Sequence, residues 1–363
     1  MNSSSLQISG LTKRYGDFVA LAPTDLEVAK GEFLTLLGPS GSGKTTLLSL
    51  IAGLALPDGG RLLIDGQDVT HGAPYERDIG MVFQNYALFP HMTVAENIAF
   101  PLKMRNVDAA SAKRRAMEAL ELVRLPHLSQ RYPKELSGGQ QQRIALARCL
   151  VYKPAIVLMD EPLGALDKKL RDQMQLEIKR IHRELGTTIV YVTHDQEEAM
   201  TMSDRICLMN QGRVEQLGTP SDLYFRPRTL FVADFLGESN LLAGTVESVE
   251  GGEAQVQLAQ NGGRALAAVH APLSAGSKVR VMVRPQNIAV RAGAGDVNAV
   301  HGKVLDSMIT GSLTKLYVSA PSAGPEPLVM CYPTSSGTAP HAIGDDITLH
   351  WSRGDAVAVP EEA

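Results

Sequence analysis

The sequence predicts an α/β domain with a mainly parallel sheet, followed by a smaller all-β domain. A glycine-rich loop, 38–45, stands between a short apolar strand and an apolar helix. Polar residues also follow the ends of several later apolar strands, as they do where ligands bind an open parallel sheet. After about residue 240, long helical patterns give way to short alternating runs separated by turn residues, which is typical of a small barrel or sandwich.

Composition limits the classes of protein that this chain can represent. The formal net charge is −4, so no basic excess suggests a nucleic-acid partner. The three cysteines lack metal-ligand spacing, and Cys149 and Cys207 stand in apolar context that predicts buried thiols. The polar N-terminus predicts no signal peptide, and no apolar run approaches the roughly 20 residues that span a bilayer. We expect a soluble cytoplasmic chain that reaches a membrane only through a partner.

The loop fits the phosphate-binding pattern G-x-x-x-x-G-K-[ST], and its context supports the match. Glu32 to Leu37 reads as a strand, and a helix is predicted from Thr46. Glycines let backbone N–H groups turn inward toward a phosphate, and the helix N-terminus adds a positive dipole end. Lys44 would reach the β- and γ-phosphates, and Thr45 would join a Mg²⁺ shell.

The elements on either side of the loop are short. Residues 6–30 predict two strands around a turn, Arg61 to Ile64 predicts a hairpin edge, and residues 77–83 predict a strand that ends at Gln84. The next stretch, 85–100, contains Pro90 and many apolar residues without a clear period. It is either a loop that covers the core or a surface on which a partner docks.

Two helices with different properties come next. Residues 108–125 have helical apolar spacing. Leu136 to Gln140 opens a helix that stops before Pro154, and Ser137 with Gln140 matches a capping box. Two glycines in its first turn cost about 1 kcal/mol each relative to alanine, which suggests that a ligand approaches the backbone closely. The sequence thus predicts a second anion-binding helix terminus, this one without a lysine.

Two further strands end in polar residues. Ala155 to Met159 is an unbroken apolar run followed by Asp160 and Glu161, and the strand over 187–192 ends just before His194. Between them, a helix closes at Gly186, and Asp195 and Glu198 suit the start of the helix that follows. Gln84, Asp160, Glu161 and His194 should therefore lie with the glycine-rich loop at the carboxyl edge of one sheet.

With these motifs, the chain resembles the ATP-binding subunit of an ATP-binding-cassette (ABC) transporter. The signature LSGGQ stands at 136–140 and the Walker B segment IVLMDE at 156–161. Gln84 and His194 match the Q-loop glutamine and the switch histidine, and Tyr15 matches the aromatic residue that stacks on adenine. The D-loop is present at 164–167, where Gly164 departs from the more usual serine.

The resemblance implies ATP and Mg²⁺ as cofactors and a role for each motif residue. The implied catalytic residues are Glu161 as general base, His194, Lys44 and Gln84, and the implied metal ligands are Thr45, Gln84 and Asp160. Two chains would meet head to tail as a homodimer, so that the signature of one caps the phosphate held by the other. The implied nucleotide-binding residues are Tyr15, Gly38, Pro39, Ser40, Gly41, Ser42, Gly43, Lys44, Thr45 and Thr46, with Ser137, Gly138, Gly139, Gln140 and Asp167.

The resemblance also implies domains and partners. An ABC domain is expected over 5–240, with a helical signature subdomain at about 88–153, then a small OB-like barrel (TOBE) over 241–355 and a tail over 356–363. The barrel is similar to that of importer ATPases, which work with two membrane permeases and an extracytoplasmic solute-binding protein at the cytoplasmic face of the inner membrane. The stretches VADFLGESNLL and VRPQNI most resemble the spermidine/putrescine subgroup. Ferric-iron, phosphonate and thiamine importers remain alternatives.

Other classes explain less of the sequence. A cytosolic cassette protein of translation or DNA repair would be expected to carry two cassettes or a long coiled-coil insertion. A bare P-loop kinase would not account for LSGGQ. A solute-sensing role of the C-terminal barrel is compatible with an importer ATPase, and solute binding by the 241–355 fragment would support it.

Overall fold

A computed structural model describes residues 3–259, 263–291, 293, 296–335 and 341–361 of the 363-residue chain. The chain divides into two compact units, Met1–Pro220 and Ser221–Ala363. Among the described residues, no helix combines the length and hydropathy that crossing a membrane requires.

Unit 1 contains ten strands and six complete α-helices within its described part. Its helices are α1 Lys44–Ala52, α2 Val94–Met104, α3 Ala109–Leu122, α4 Gly138–Leu150, α5 Lys168–Leu185 and α6 Gln196–Met202. Its strands are β1 Leu6–Tyr15, β2 Phe18–Val28, β3 Phe33–Leu37, β4 Gly59–Ile64, β5 Gln67–Asp68, β6 Ile79–Val82, β7 Ile156–Asp160, β8 Thr188–Thr193, β9 Arg205–Asn210 and β10 Arg213–Gly218.

The central sheet of unit 1 has six strands in the order β10-β9-β3-β8-β7-β6. All neighbours are parallel except β9 and β10. β3 and β8 are buried along their whole lengths, as their continuous apolar sequences predict for strands covered on both faces. The carboxyl ends of β3, β6, β7 and β8 therefore meet at one edge, which confirms the mainly parallel sheet.

A second sheet and the helices enclose the central sheet. The antiparallel order β2-β1-β4-β5 confirms the strands predicted over 6–30 and 61–64. One apolar core joins this sheet to α1 and one face of the central sheet. A second core joins the other face to α2, α3, α4 and α5.

Helix α2 corrects the expectation of an aperiodic stretch at 85–100. Thr93 caps this helix: its Oγ1 accepts from the Glu96 N–H at 3.3 Å, and Glu96 Oε2 accepts from the Thr93 N–H at 2.7 Å. The signal T-x-x-E was present in the sequence. Fully buried Asn97 donates to the carbonyls of Phe89 and Met92, so the residues before the helix form an ordered loop.

Unit 2 is mainly β structure. Its short helices are α7 Pro220–Phe225, which starts at the last residue of unit 1, and α8 Leu230–Phe235. Its strands are β11 Asn240–Glu250, β12 Glu253–Leu258, β13 Arg264–Val269, β14 Lys278–Val283, β15 Asp296–Ile309, β16 Leu313–Ser319, β17 Leu328–Pro333, β18 Asp346–Ser352 and β19 Ala356–Pro360. Strands β11-β12-β13-β19-β14 close a barrel, and β17-β16-β15-β18 form a further sheet. One apolar core, which includes Trp351, serves both.

Two expectations for unit 2 were wrong. The run NIAVRA at 287–292 is not a strand in its described part, where only Ala289 makes a bridge, to His350; Ala292 lies outside the described residues. The expected tail contains β19, which fills the gap between β13 and β14 and closes the barrel. Its partners lie about 80 residues earlier in the chain, so no hairpin pattern revealed it.

Candidate nucleotide-binding site

The loop after β3 has a backbone that only glycine accommodates at two positions. Gly38 has φ 153°, and a Cβ there would lie 2.2 Å from the Met209 carbonyl oxygen. Gly43 has φ 98°, and its Cβ would lie 2.8 Å from the Ala20 carbonyl oxygen. Helix α1 begins directly afterwards at Lys44. Glycine is therefore required at these two positions for steric reasons, and it also leaves the backbone N–H groups accessible.

Lys44 lies at the centre of this loop. Its Nζ donates to the carbonyl oxygens of Gly38 and Pro39, both at 2.8 Å, and the residue is only 5% exposed. Burial lowers the pKa of Lys44, while the nearby charges of Glu161 and Asp160 oppose that shift. The loop thus holds an amine that a phosphate entering the loop can contact.

Asp160 and Thr45 lie together at the end of β7 and the start of α1. Burial is the main reason that the pKa of Asp160 is raised, and the neighbouring Glu161 charge adds to the rise. The Thr45 hydroxyl and Lys44 pull the pKa down. Among the described residues, no group of three acidic, histidine or cysteine side chains could hold a metal alone. One carboxylate and one hydroxyl fit Mg²⁺, which keeps waters and takes phosphate oxygens as its remaining ligands.

Glu161 is the residue on which three strand ends converge. Its Oε2 lies 3.4 Å from Gln84 Nε2, beyond β6, and 3.2 Å from His194 Nδ1, beyond β8. Its φ of 42° is in the left-handed region, and its N–H donates to the Val192 carbonyl. A non-glycine residue in this region is uncommon and often marks a functional position. The structure therefore brings Gln84, Glu161 and His194 together at the sheet edge.

The start of α4 has the predicted cap, but only one of its glycines is open. The Ser137 N–H donates to Gln140 Oε1 at 2.9 Å, and the Gln140 N–H donates to Ser137 Oγ at 3.4 Å. A Cβ on Gly139 would lie 2.9 Å from the Leu170 methyl carbons, whereas one on Gly138 would have room. Gly139 thus packs against Leu170 within the chain, which corrects the argument that both glycines lie open to an external ligand.

The signature residues are not joined to the glycine-rich loop within one chain. In the part of the chain that the structure describes, no hydrogen bond links 137–140 to 38–45. Asp167 caps α5 by accepting from the Leu170 N–H at 3.0 Å. Tyr15 is 55% exposed, with Lys13 Nζ 5.4 Å from its ring centroid. These residues remain open to a ligand or a second chain.

Sequence reasoning missed a buried cluster beside His194. The sequence places Glu198 only at the start of α6, yet this residue is 2% exposed and accepts from the Tyr191 and Thr193 hydroxyls. Arg171 of α5 was not singled out, although it bonds to Asp195. A signal was available, since Tyr191 and Thr193 share one face of a strand and Glu198 stands one helical turn beyond Asp195.

The fold, together with the residues at the carboxyl edge of the central sheet, defines a P-loop nucleoside triphosphatase. Family models described as "ABC transporter" and "TOBE domain" match residues 21–164 and 281–359. The spermidine/putrescine import ATP-binding protein PotA of Acidothermus cellulolyticus is 50% identical over 97% of this chain and 94% of its own. PotA of Nitrosomonas europaea is 45% identical over 96% and 97%.

Solved structures agree with unit 1. The ATP-binding cassette MJ0796, solved as a dimer in a post-hydrolysis state with ADP and Pi, superposes with a TM-score of 0.53 and 35% identity over 59% of this chain and 98% of that one. CbiO1 of Clostridium perfringens gives a TM-score of 0.57 and 29% identity over 60% and 89%. The chain belongs to the ATP-binding protein family of ABC transporters. It binds ATP and is an ATPase coupled to transport.

Proposed function

We propose that Glu161 is the general base that activates water for attack on the γ-phosphate of ATP. The observation that carries the proposal is the convergence of Gln84 and His194 on one carboxylate oxygen of Glu161. That position suits a residue that must orient a water molecule and respond to the bound phosphate. Lys44 would bind the β- and γ-phosphates, Tyr15 would stack on adenine, and residues 38–46 would surround the phosphates.

Mg²⁺ would be held by Thr45 and Asp160, with Gln84 reaching the metal or its water. The ion would supply charge stabilisation for the phosphoryl group. This chain's own residues would do the rest: Lys44 would neutralise phosphate charge, His194 would contact the γ-phosphate, and the backbone N–H groups of the loop would donate to phosphate oxygens. Positioning and electrostatics supply nearly all the catalysis in such a site.

Two copies of the chain would share each ATP. The start of α4 is a helix N-terminus formed by Ser137, Gly138, Gly139 and Gln140, and Gly138 is open. Within the described residues it makes no hydrogen bond to the glycine-rich loop of its own chain. Such a terminus suits an anion brought by a partner. Asp167, exposed at the start of α5, would meet the partner near the same place. The head-to-tail homodimer would close on ATP and open after hydrolysis.

The transported solute would be a polyamine. The relatives similar over nearly the whole chain are named as spermidine/putrescine import proteins. The chain would act at the cytoplasmic face of the inner membrane as a peripheral subunit, with two permeases and an extracytoplasmic solute-binding protein. The stretch 85–105, which follows Gln84 and includes α2, would contact the permeases and transmit the state of the site.

The catalytic proposal is tested by Glu161→Gln in the purified chain. We expect ATP binding to persist, turnover to fall at least about 100-fold, and an ATP-bound dimer to accumulate, because the amide cannot accept a proton. Glu197→Gln makes the same chemical change at an exposed position on α6 and should turn over normally. Near wild-type hydrolysis by Glu161→Gln would remove Glu161 from the role of base.

The shared site is tested by mixing two inactive variants, Ser137→Arg and Lys44→Ala. A mixed dimer contains one composite site that has neither lesion, so activity should reappear on mixing. If ATP is bound within a single chain, the mixture will stay inactive.

The solute is tested by uptake of labelled spermidine and putrescine in cells of the source organism that carry Glu161→Gln or Glu197→Gln. Loss of uptake in the first strain alone supports polyamine import. Unchanged uptake in both strains would refute polyamines as the cargo, and ferric iron, a phosphonate or thiamine would be assayed in the same strains.

A further inference from the structure

A buried polar cluster joins α5, β8 and α6 next to His194. We define the Glu198 cluster as Arg171, Tyr191, Thr193, Asp195 and Glu198. Tyr191 and Thr193 come from β8, Arg171 from α5, and Asp195 and Glu198 from the cap and first turn of α6. His194 stands between two members of the cluster in sequence, while its own side chain is exposed.

Glu198 is held by three neighbours. Its Oε2 accepts from the Tyr191 hydroxyl and the Thr193 hydroxyl, both at 2.7 Å. Its Oε1 lies 3.6 Å from Arg171 Nε, a buried nitrogen that finds no hydrogen-bond acceptor among the residues that the structure describes. Burying a carboxylate is costly unless it is paired and hydrogen-bonded, and this one has both kinds of partner.

Arg171 connects the cluster to the segment that follows Glu161. Its Nη1 donates to Asp195 Oδ2 at 2.8 Å, and its Nη2 donates to the Leu166 carbonyl at 3.2 Å. Leu166 precedes the α5 cap, Asp167, and lies five residues after Glu161. One guanidinium therefore bonds both to the turn that carries His194 and to the turn that follows Glu161.

The residues on both sides of His194 are fixed by the same cluster. Thr193 donates to Glu198 and also accepts from the Asp195 N–H at 3.0 Å. Asp195 accepts from the N–H groups of Glu197 and Glu198. The main chain at His194 is thus held from both neighbours, although its imidazole has freedom to meet a ligand. Loss of the Glu198 charge would leave Arg171 Nε without its nearest carboxylate and would weaken the hydrogen bonds from the two hydroxyls.

We propose that Glu198 and Arg171 are positioning residues for ATP hydrolysis. They hold the His194 turn and the Leu166–Asp167 turn in one geometry, which keeps His194 Nδ1 beside Glu161. Neither residue touches the nucleotide. This inference rests on the proposed roles of His194 and Glu161.

The test is Glu198→Gln in the purified full-length chain, with Glu197→Gln as its matched control. Glutamine keeps an oxygen that accepts from Tyr191 and Thr193, but it removes the charge that faces Arg171. Glu197 pairs with Lys168 at 3.6 Å across the same two helices, on the exposed side. We expect kcat of Glu198→Gln to fall roughly tenfold to 100-fold, because small misplacements of catalytic groups cost up to about that much. KM and the Kd for ATP should stay within about twofold of wild type.

A second pair of variants covers the case in which Glu198→Gln does not fold. Tyr191→Phe removes one hydroxyl from a buried ring without changing its shape, and should lower kcat by a smaller factor with KM unchanged. Arg171→Lys keeps the charge but loses the planar fork whose separate Nη atoms donate to Leu166 and Asp195, and should lower kcat in the same way. If all the folded variants match Glu197→Gln in kcat, the inference is overturned.

His194→Ala separates this inference from the proposed function. If His194→Ala turns over normally, the proposed role of His194 fails. If it loses turnover while Glu198→Gln does not, only the present inference fails. If Glu198 acts through His194, adding Glu198→Gln to His194→Ala causes no further loss of kcat. If Glu198→Gln lowers kcat in the His194→Ala background by the same factor as in wild type, Glu198 does not act through His194.

Discussion

Each unit of this protein buries a basic side chain among main-chain carbonyls, and the two sites differ in what surrounds them. In unit 1, Lys44 bonds to two carbonyls of a loop that is exposed at Ser40 and Gly41. In unit 2, Arg284 of the turn after β14 is 1% exposed and donates to Tyr224, Ala233, Gly237 and Glu238 carbonyls and to the Ser239 hydroxyl.

The difference separates a ligand site from a structural site. The Arg284 guanidinium lies 4.2 Å from the Tyr224 ring and is surrounded by protein groups, so it ties the segment 224–239 to the barrel. Lys44 stands beside two carboxylates at an open sheet edge. Burial lowers the pKa of both groups. A buried charge therefore indicates a ligand site only when its surroundings leave room for the ligand.

The largest expected effect is on the stability of unit 2. Arg284→Met should lower its free energy of unfolding by about 3 kcal/mol or more, because several buried carbonyls lose their donor at about 1–3 kcal/mol each. Trp351 is the single tryptophan of the chain and lies in the core of unit 2, so its fluorescence during denaturation reports this unit. The control is Arg280→Met on β14, the strand that precedes Arg284. It removes a partly exposed ion pair with Glu361 and should lower the free energy of unfolding by about 1 kcal/mol or less. Equal losses in the two variants would contradict a structural role for Arg284.

The next effect is on turnover in unit 1. Lys44→Ala should reduce ATP hydrolysis about 100-fold to 1000-fold and weaken nucleotide binding, because the phosphate loses a preorganised charge. The denaturation midpoint should change little, since the loop carbonyls can reach water at the open edge. Steady-state hydrolysis and nucleotide titration check this, with the exposed Lys30→Ala as control. If Lys44→Ala instead lost much stability and kept its turnover, Lys44 would have a structural role like that of Arg284.

A smaller effect distinguishes the two signature glycines. Gly139→Ala should be less stable than Gly138→Ala by about 1–3 kcal/mol, because its new methyl group meets Leu170. Gly138→Ala has room and should gain up to about 1 kcal/mol from helix propensity. Turnover should nevertheless fall in Gly138→Ala if a partner's phosphate approaches there. Denaturation and ATP hydrolysis are measured on both variants. Full activity of Gly138→Ala would exclude a close approach of a partner's phosphate to Gly138.

The smallest effect compares two helix caps of the same kind. Thr93→Ala should cost about 1 kcal/mol of stability through loss of the α2 cap, without loss of turnover at temperatures where the chain is folded. Ser137→Ala should cost a similar amount through α4 and also lower turnover. Circular dichroism during denaturation and hydrolysis assays measure the two quantities. Equal turnover in the two variants would mean that the Ser137 hydroxyl only caps a helix.

Much of unit 1 was predictable because its signals are local. The strand before Gly38, the caps at Ser137 and Asp195, and the apolar run before Asp160 are each readable within a few residues, and the structure has all of them. The rule that carboxyl ends of parallel strands share an edge then placed Gln84, Glu161 and His194 together. The sequence analysis did not predict helix α2, although Thr93 and Glu96 match a capping box at its start.

Unit 2 was less predictable because its closure depends on distant pairings. Strand β19 is five residues long and pairs in parallel with β13 and antiparallel with β14. Nothing local distinguishes it from a tail, since its stability comes from partners about 80 residues away. NIAVRA, an alternating run, is not a strand in its described part, where Ala289 makes a single bridge to His350 of β18.

The sequence by itself determined the class of protein, the order of an α/β part and a β part, and the strand ends that bring Gln84, Glu161 and His194 together. Those properties depend on residue chemistry at fixed short spacing. Only the tertiary structure decided that Leu170 fills the space beside Gly139, that both Nη atoms of Arg284 donate within its own unit, and that Glu198 and Arg171 link the turns around His194 and Glu161. Each of these is a contact between segments far apart in the chain, and its energy exists only after the intervening chain has folded.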